Sequence, residues 1–79
     1  MKYAYTKDIW FEADPGNARE ICEAIWHGQK FKIHSSVEEW MKANAKVVRN
    51  YTGKPCSSRT FEAHVRDLLR LGILQKAGE

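Results

Sequence analysis

Residues 58–72, Ser-Arg-Thr-Phe-Glu-Ala-His-Val-Arg-Asp-Leu-Leu-Arg-Leu-Gly, sort cleanly only when they are wound as a helix. At ~100° per residue, Phe61, Val65, Leu68 and Gly72 then fall on one side and Arg59, Arg66 and Arg70 on a narrow strip opposite. One face must pack and the other must meet solvent. The chain has 79 residues, so nearly every apolar side chain is needed for one core. A single domain over residues 1–79 is expected, too small for a large internal active site.

The segments before this helix are punctuated by capping signals. Tyr3, Tyr5, Ile9 and Phe11 alternate, as in one strand or two short strands with one face buried, and Lys7 interrupts the apolar side. Asp14-Pro-Gly-Asn17 marks a turn, and Asn17 with Glu20 has capping-box spacing for a helix running to about His27-Gly28. Its buried face would be Ala18, Ile21, Cys22 and Ile25. Residues 31–34 alternate with Phe31 and Ile33 on one side, which reads as a short strand in need of a partner.

A second helix opens at Ser35 or Ser36, since both have a glutamate three residues on. Val37, Trp40, Met41, Val47, Val48 and Tyr51 share one arc, with Lys42, Lys46 and Arg49 almost opposite. Asn44 lies within the apolar arc, where its amide needs a partner; it bonds a neighbouring backbone group or marks a bend. Thr52-Gly-Lys-Pro55 ends this helix, because glycine supplies a left-handed cap and proline cannot continue it. Ser57 or Ser58 would cap the third helix. Gly72 permits a sharp exit into a final short strand at residues 73–76.

Charge is unevenly distributed. Residues 1–40 carry a net charge of −2 and residues 41–79 a net charge of +5. No acid occurs between Trp40 and Phe61, where Lys42, Lys46, Arg49, Lys54 and Arg59 all lie. Arginine is the side chain best shaped for phosphate oxygens and guanine edges, so a helix of this kind suits a nucleic-acid surface.

Other chemistries find little footing. The chain begins without an apolar leader run and has no stretch near the ~20 apolar residues of a membrane span. A soluble, cytoplasmic, reduced protein is expected, with no membrane partner. Cys22 reads as a core thiol; Cys56 precedes a helix start that would lower its pKa. Cys22, His27, His34, Cys56 and His64 match no zinc spacing, so no metal or cofactor is expected. His64 borders the buried face of the third helix and reads as a packed side chain. Asp67, Glu62 and His64 spread around one helix, and no catalytic constellation or phosphate-binding glycine loop is present; the chain does not read as an enzyme. Trp26 and Trp40 abut apolar helix faces. Trp10 lies opposite Ile9 and Phe11, and an exposed tryptophan there would signal a protein interface.

Strand, helix, short strand, helix, turn and basic helix, followed by Leu68-Leu-Arg-Leu-Gly-Ile-Leu74, together resemble a winged-helix domain, a helix-turn-helix variant, over residues 17–76. The resemblance implies an α+β fold of three helices with a small antiparallel sheet. Winged helices usually continue through a hairpin after the third helix; here residues 3–11 are the candidate for the missing edge. The resemblance also implies that the third helix enters the major groove. By position, Ser58, Arg59, Thr60, Ala63 and Arg66 would then face DNA, with Arg70 nearer the backbone. Ser57, Lys54, Lys42, Lys46 and Arg49 would meet phosphates.

The expectation is a small, phage-like DNA-binding protein, a transcriptional regulator or accessory recombination or replication factor, acting on double-stranded DNA as a homodimer or with a protein partner. The alternative is a protein-binding adaptor or inhibitor on the same scaffold, its basic face docking an acidic partner. An exposed patch at Trp10 or Tyr5 would favour the second reading, and a continuous Lys/Arg surface the first.

Overall fold

The computed structural model describes residues 1–29 and 34–77. Two strands, β1 (Lys2–Tyr5) and β2 (Ile9–Glu12), form a hairpin, followed by α1 (Ala18–Gly28), α2 (Val37–Thr52), α3 (Phe61–Arg70) and β3 (Leu74–Ala77). The sheet is antiparallel in the order β2-β1-β3, so among the described residues the class is α+β, with three helices on a three-stranded sheet. The break at Lys7 is a hairpin loop, in which Thr6 and Lys7 both take positive φ. The register pairs Tyr3 with Phe11 and Lys76, and Tyr5 with Ile9 and Leu74. β1 is thus the partner strand that β3 requires, and β2 forms the opposite edge of the sheet. Phe31 and Ile33, which carried the expected strand over 31–34, lie outside the described residues.

Local chemistry sets the helix starts. Asn17 Oδ1 accepts from the Glu20 N–H, and Ser36 Oγ accepts from the Glu39 N–H. Between the two candidates for the second cap, Ser36 takes the role, while Ser35 donates its N–H and hydroxyl to the Glu39 carboxylate. The buried side of α1 is Ala18, Ile21, Cys22 and Ile25, as its spacing requires. Gly53 ends α2 in the left-handed region at φ 70°, and Gly72 turns the chain into β3 at φ 78°. Those angles strain any residue with a Cβ.

The third helix starts later than its serines suggest. Thr60, not Ser57 or Ser58, is the cap: its hydroxyl accepts from the Ala63 N–H, a contact worth about 0.5–2 kcal/mol. Ser57 Oγ instead accepts from the Arg59 N–H, and its backbone is held elsewhere. Arg59 therefore precedes the helix, and the helical strip reduces to Arg66 and Arg70.

Side chains from all layers meet in one core, with Tyr3, Ile21, Ile25, Trp40, Leu68 and Leu74 fully buried. On α2 the buried residues are Val37, Trp40, Met41, Asn44, Ala45 and Val48. Val47 and Tyr51, expected inside, are 62% and 85% exposed. They lie along the last turns of α2, at the rim of the core, and line a groove with Tyr5, Thr6 and Ile73. Trp10 stands 65% exposed, paired across the sheet with Ala4. Among the described residues, no helix is long and apolar enough to cross a membrane.

Candidate nucleic-acid interface

The link between α2 and α3, residues 53–60, is built into the domain by side chains rather than by secondary structure. Arg49, in the last turn of α2, donates to the Cys56 carbonyl at 2.9 Å. Arg70, in the last turn of α3, donates to the Pro55 carbonyl at 3.2 Å. The Ser57 N–H donates to Asp67 Oδ2 at 2.8 Å, and His64 Nδ1 lies 2.8 Å from the Ser57 carbonyl oxygen. Three successive residues of an irregular segment thus have backbone polar groups satisfied from α2 and α3, which buried or crowded backbone requires. Sequence position alone marked Arg49 and Arg70 as phosphate contacts; in the fold each also holds this link. A guanidinium has five N–H donors, so a bond to one carbonyl leaves others for an anion.

Asp67 organises the cations around the link. It is buried on the side of α3 that faces the core, yet its carboxylate receives Arg70 Nη2 at 3.3 Å and lies 3.6 Å from Arg66 Nε. The Ser57 N–H, and then Arg70 and Arg66, hold its carboxyl below the usual range. Contacts run from Arg49 through Cys56 and Pro55 to Arg70, Asp67 and Arg66. Lys42 and Lys46 continue the series along the outer side of α2, one helical turn apart and leading to Arg49. Lys54 and Arg59 stand exposed within the link itself.

Every basic residue expected at a DNA face is solvent-exposed: Lys42, Lys46, Arg49, Lys54, Arg59, Arg66 and Arg70. Of the two arginines on α3, Arg66 is the more exposed, its side chain at 72% against 53% for Arg70. The small residues are placed differently. Ser57, Ser58 and Ala63 are half-buried, and the Thr60 hydroxyl is engaged as the helix cap. Glu62 is exposed one turn before Arg66, so the outer side of α3 is mixed in charge rather than uniformly basic. The acidic first half of the chain is tied together by Arg19, which bridges Glu23 on α1 and Glu38 at the start of α2 and lies over the Phe61 ring.

Cys56 is buried, and the expected lowering of its pKa is reversed. Burial, with Asp67 adding to it, pushes its thiol up. The helix it precedes begins only at Phe61, beyond the reach of a first-turn effect. Cys22 is also buried, with its thiol pushed up to about 12. Among the described residues, no group of His, Cys, Asp and Glu side chains is arranged to hold a metal ion.

Spacing alone did not identify the roles of Asp67, His64 and Asn44 in this region. One available signal was a carboxylate at position 67 beside the apolar Val65 and Leu68, three residues before Arg70. Comparison with protein-family models, with curated proteins and with solved structures gave no match to this chain.

Proposed function

We propose that this domain binds double-stranded DNA through the basic face made by the outer side of α2, residues 53–60 and the exposed side of α3. It would act as a winged-helix-like transcriptional regulator or an accessory recombination or replication factor. The observation that carries the reading is the exposed series Lys42, Lys46, Arg49, Lys54, Arg59, Arg66 and Arg70, of which Arg66 and Arg70 alone share a carboxylate, that of Asp67. Lysines on α2 supply salt-sensitive affinity. Arg66, with Arg59 beside the start of α3, is placed for groove contacts.

A second reading, a protein-binding adaptor or inhibitor, is favoured by Trp10. A 65% exposed tryptophan on the edge strand β2 is a typical anchor for a protein interface. Tyr5 gives it no support, being buried.

One titration separates the two. In fluorescence anisotropy with random-sequence duplex DNA between about 50 and 200 mM salt, log affinity should fall linearly with log salt, by about 0.9 for each phosphate contact. Changing Arg59, Arg66 and Lys46 together to alanine should weaken binding at every salt concentration and flatten that slope. Trp10→Ala should bind as the parent does. No binding at low salt, or loss in the Trp10 variant alone, would move the function to the adaptor reading.

A further inference from the structure

Helical period puts Val47 and Tyr51 on the side of α2 that should be covered, yet one copy of the chain leaves both exposed. Among the described residues, four large apolar side chains stand exposed, Met1, Trp10, Val47 and Tyr51, and the last two lie one turn apart on α2. At ~100° per residue, Ala43 continues their strip by one more turn, and no charged side chain falls on it. Beside the strip runs a groove of about 220 Å³. Its deepest side chains are the buried Tyr5 and Val48; Thr6 and Ile73 line it from the sheet side, and Val47 and Tyr51 from α2. Both walls are held in place. The Thr6 N–H donates to the Ile73 carbonyl at 2.8 Å, which ties the hairpin loop to the approach to β3. The Thr52 hydroxyl donates to the Val48 carbonyl at 2.8 Å and accepts from the Lys54 N–H at 3.1 Å, which fixes the last turn of α2.

We propose that this groove is the face through which two copies of the chain pair, the Tyr51 ring of each seated in the groove of the other. The proposal deepens the DNA reading, in which the protein acts as a homodimer. Its consequence for DNA rests on that reading, and the pairing itself does not.

Charge, size and placement select a second copy as the occupant. None of the six side chains lining the groove is charged, so a phosphate backbone or an acidic peptide meets no cation there, whereas the strip on a second copy is equally uncharged. A cavity of about 150 Å³ holds benzene, so the groove has room for a tyrosine ring. Ring and groove lie side by side on one surface. A two-fold contact requires that arrangement, because the same patch must serve both as the inserted group and as its receptor. The patch amounts to a few hundred Å², less than the about 800 Å² per partner of a stable dimer, so pairing is weak and depends on concentration. Salt acts on it in a distinctive direction. Lys46 precedes Val47, Lys54 follows Tyr51 by three residues, both are exposed, and each copy carries a net charge of +3. Two copies therefore repel at low salt, and the salt that weakens DNA binding strengthens pairing. On duplex DNA the phosphates would offset that repulsion, so two copies would bind side by side more tightly than either alone.

The test is sedimentation equilibrium of the full chain from about 10 µM to about 1 mM, at about 50 and about 500 mM salt. The expected result is a monomer–dimer equilibrium with no larger species, the dimer fraction rising with concentration and with salt. Tyr51→Ser should weaken association at least about 10-fold, and the Tyr51→Ser, Val47→Ser double variant should stay monomeric. Both positions are exposed, and circular dichroism checks that the variants fold as the parent does. Trp10→Ser should associate like the parent. A parent that remains monomeric at about 1 mM in both salts, growth beyond the dimer, a folded double variant that still pairs, or pairing lost only in Trp10→Ser would overturn the proposal. Random-sequence duplex DNA added to the same samples separates the two readings. Pairing without DNA binding at either salt would leave the groove standing and remove the DNA reading, and DNA binding by a chain that never pairs would do the reverse.

Discussion

Trp40→Ala should cost about 3–5 kcal/mol of folding stability, a large part of the total for a domain of this size, which is on the order of 5–10 kcal/mol. Trp40 is the largest fully buried side chain, and it touches several layers at once. Its indole N–H donates to Gln29 Oε1 at the end of α1, and its ring meets the His64 ring in an edge-on contact with centroids 5.8 Å apart. Truncation leaves a cavity that collapse cannot fill without moving α3, and it removes the partner of Gln29. At about 4–8 °C per kcal/mol for a domain of this length, thermal unfolding should come at least about 12 °C earlier. Tyr51→Ala, on the same helix but 85% exposed, should stay within about 0.5 kcal/mol of the parent. Circular dichroism melting of the two variants checks the pair, and equal melting temperatures would mean that the core is not centred on Trp40.

Those two aromatics show where sequence reading reaches and where it stops. Period places Trp40 and Tyr51 on one arc of α2, but it carries no information about which turns have anything packed against them. The helix faces of α1 and the caps at Asn17 and Ser36 were legible because both depend on residues three or four apart. The third cap was not, because Ser57, Ser58 and Thr60 are all chemically able to cap. Ser57 is held instead by its backbone, its N–H donating to Asp67 ten residues on and its carbonyl oxygen meeting His64 seven residues on. Asn44 needed a partner, and its spacing shows as much; that the partners are Tyr5, 39 residues away, and His64, 20 away, depends on how β1 lies against α2. The candidate site divides the same way. Exposure of the basic residues follows from helix period and from the acid-free stretch, whereas the clamping of residues 55–57 by Arg49 and Arg70 is purely tertiary.

Asp67 should prove the most consequential charged residue, with opposite effects on stability and on binding. Its carboxylate receives the half-buried Ser57 N–H and Arg70, so Asp67→Ala should cost about 1.5–3 kcal/mol, the range for a hydrogen bond to a charged group. The pH dependence follows from its depressed pKa. The unfolded chain takes up the proton first, so the contribution is full above the ordinary value of 3.8 and drains away as pH falls through the lower folded value. His64 acts in a separate window: its folded pKa also lies below the unfolded value near 6.5, so stability begins to fall once pH drops under that value. Denaturant melts of the parent should show two successive losses on acidification. Asp67→Asn should lessen the more acidic one, to which the depressed carboxyls of Glu38 and Glu39 also contribute, and His64→Gln should lack the less acidic one. On the binding side, Asp67 is the carboxylate that Arg66 and Arg70 share, and removing it leaves the basic face one charge more positive. While still folded, Asp67→Asn should therefore bind random duplex DNA more tightly than the parent at about 50 mM salt, with the advantage shrinking as salt rises. Weaker binding by a folded Asp67→Asn protein would mean that the arrangement of residues 55–57, rather than the charge around them, sets the affinity.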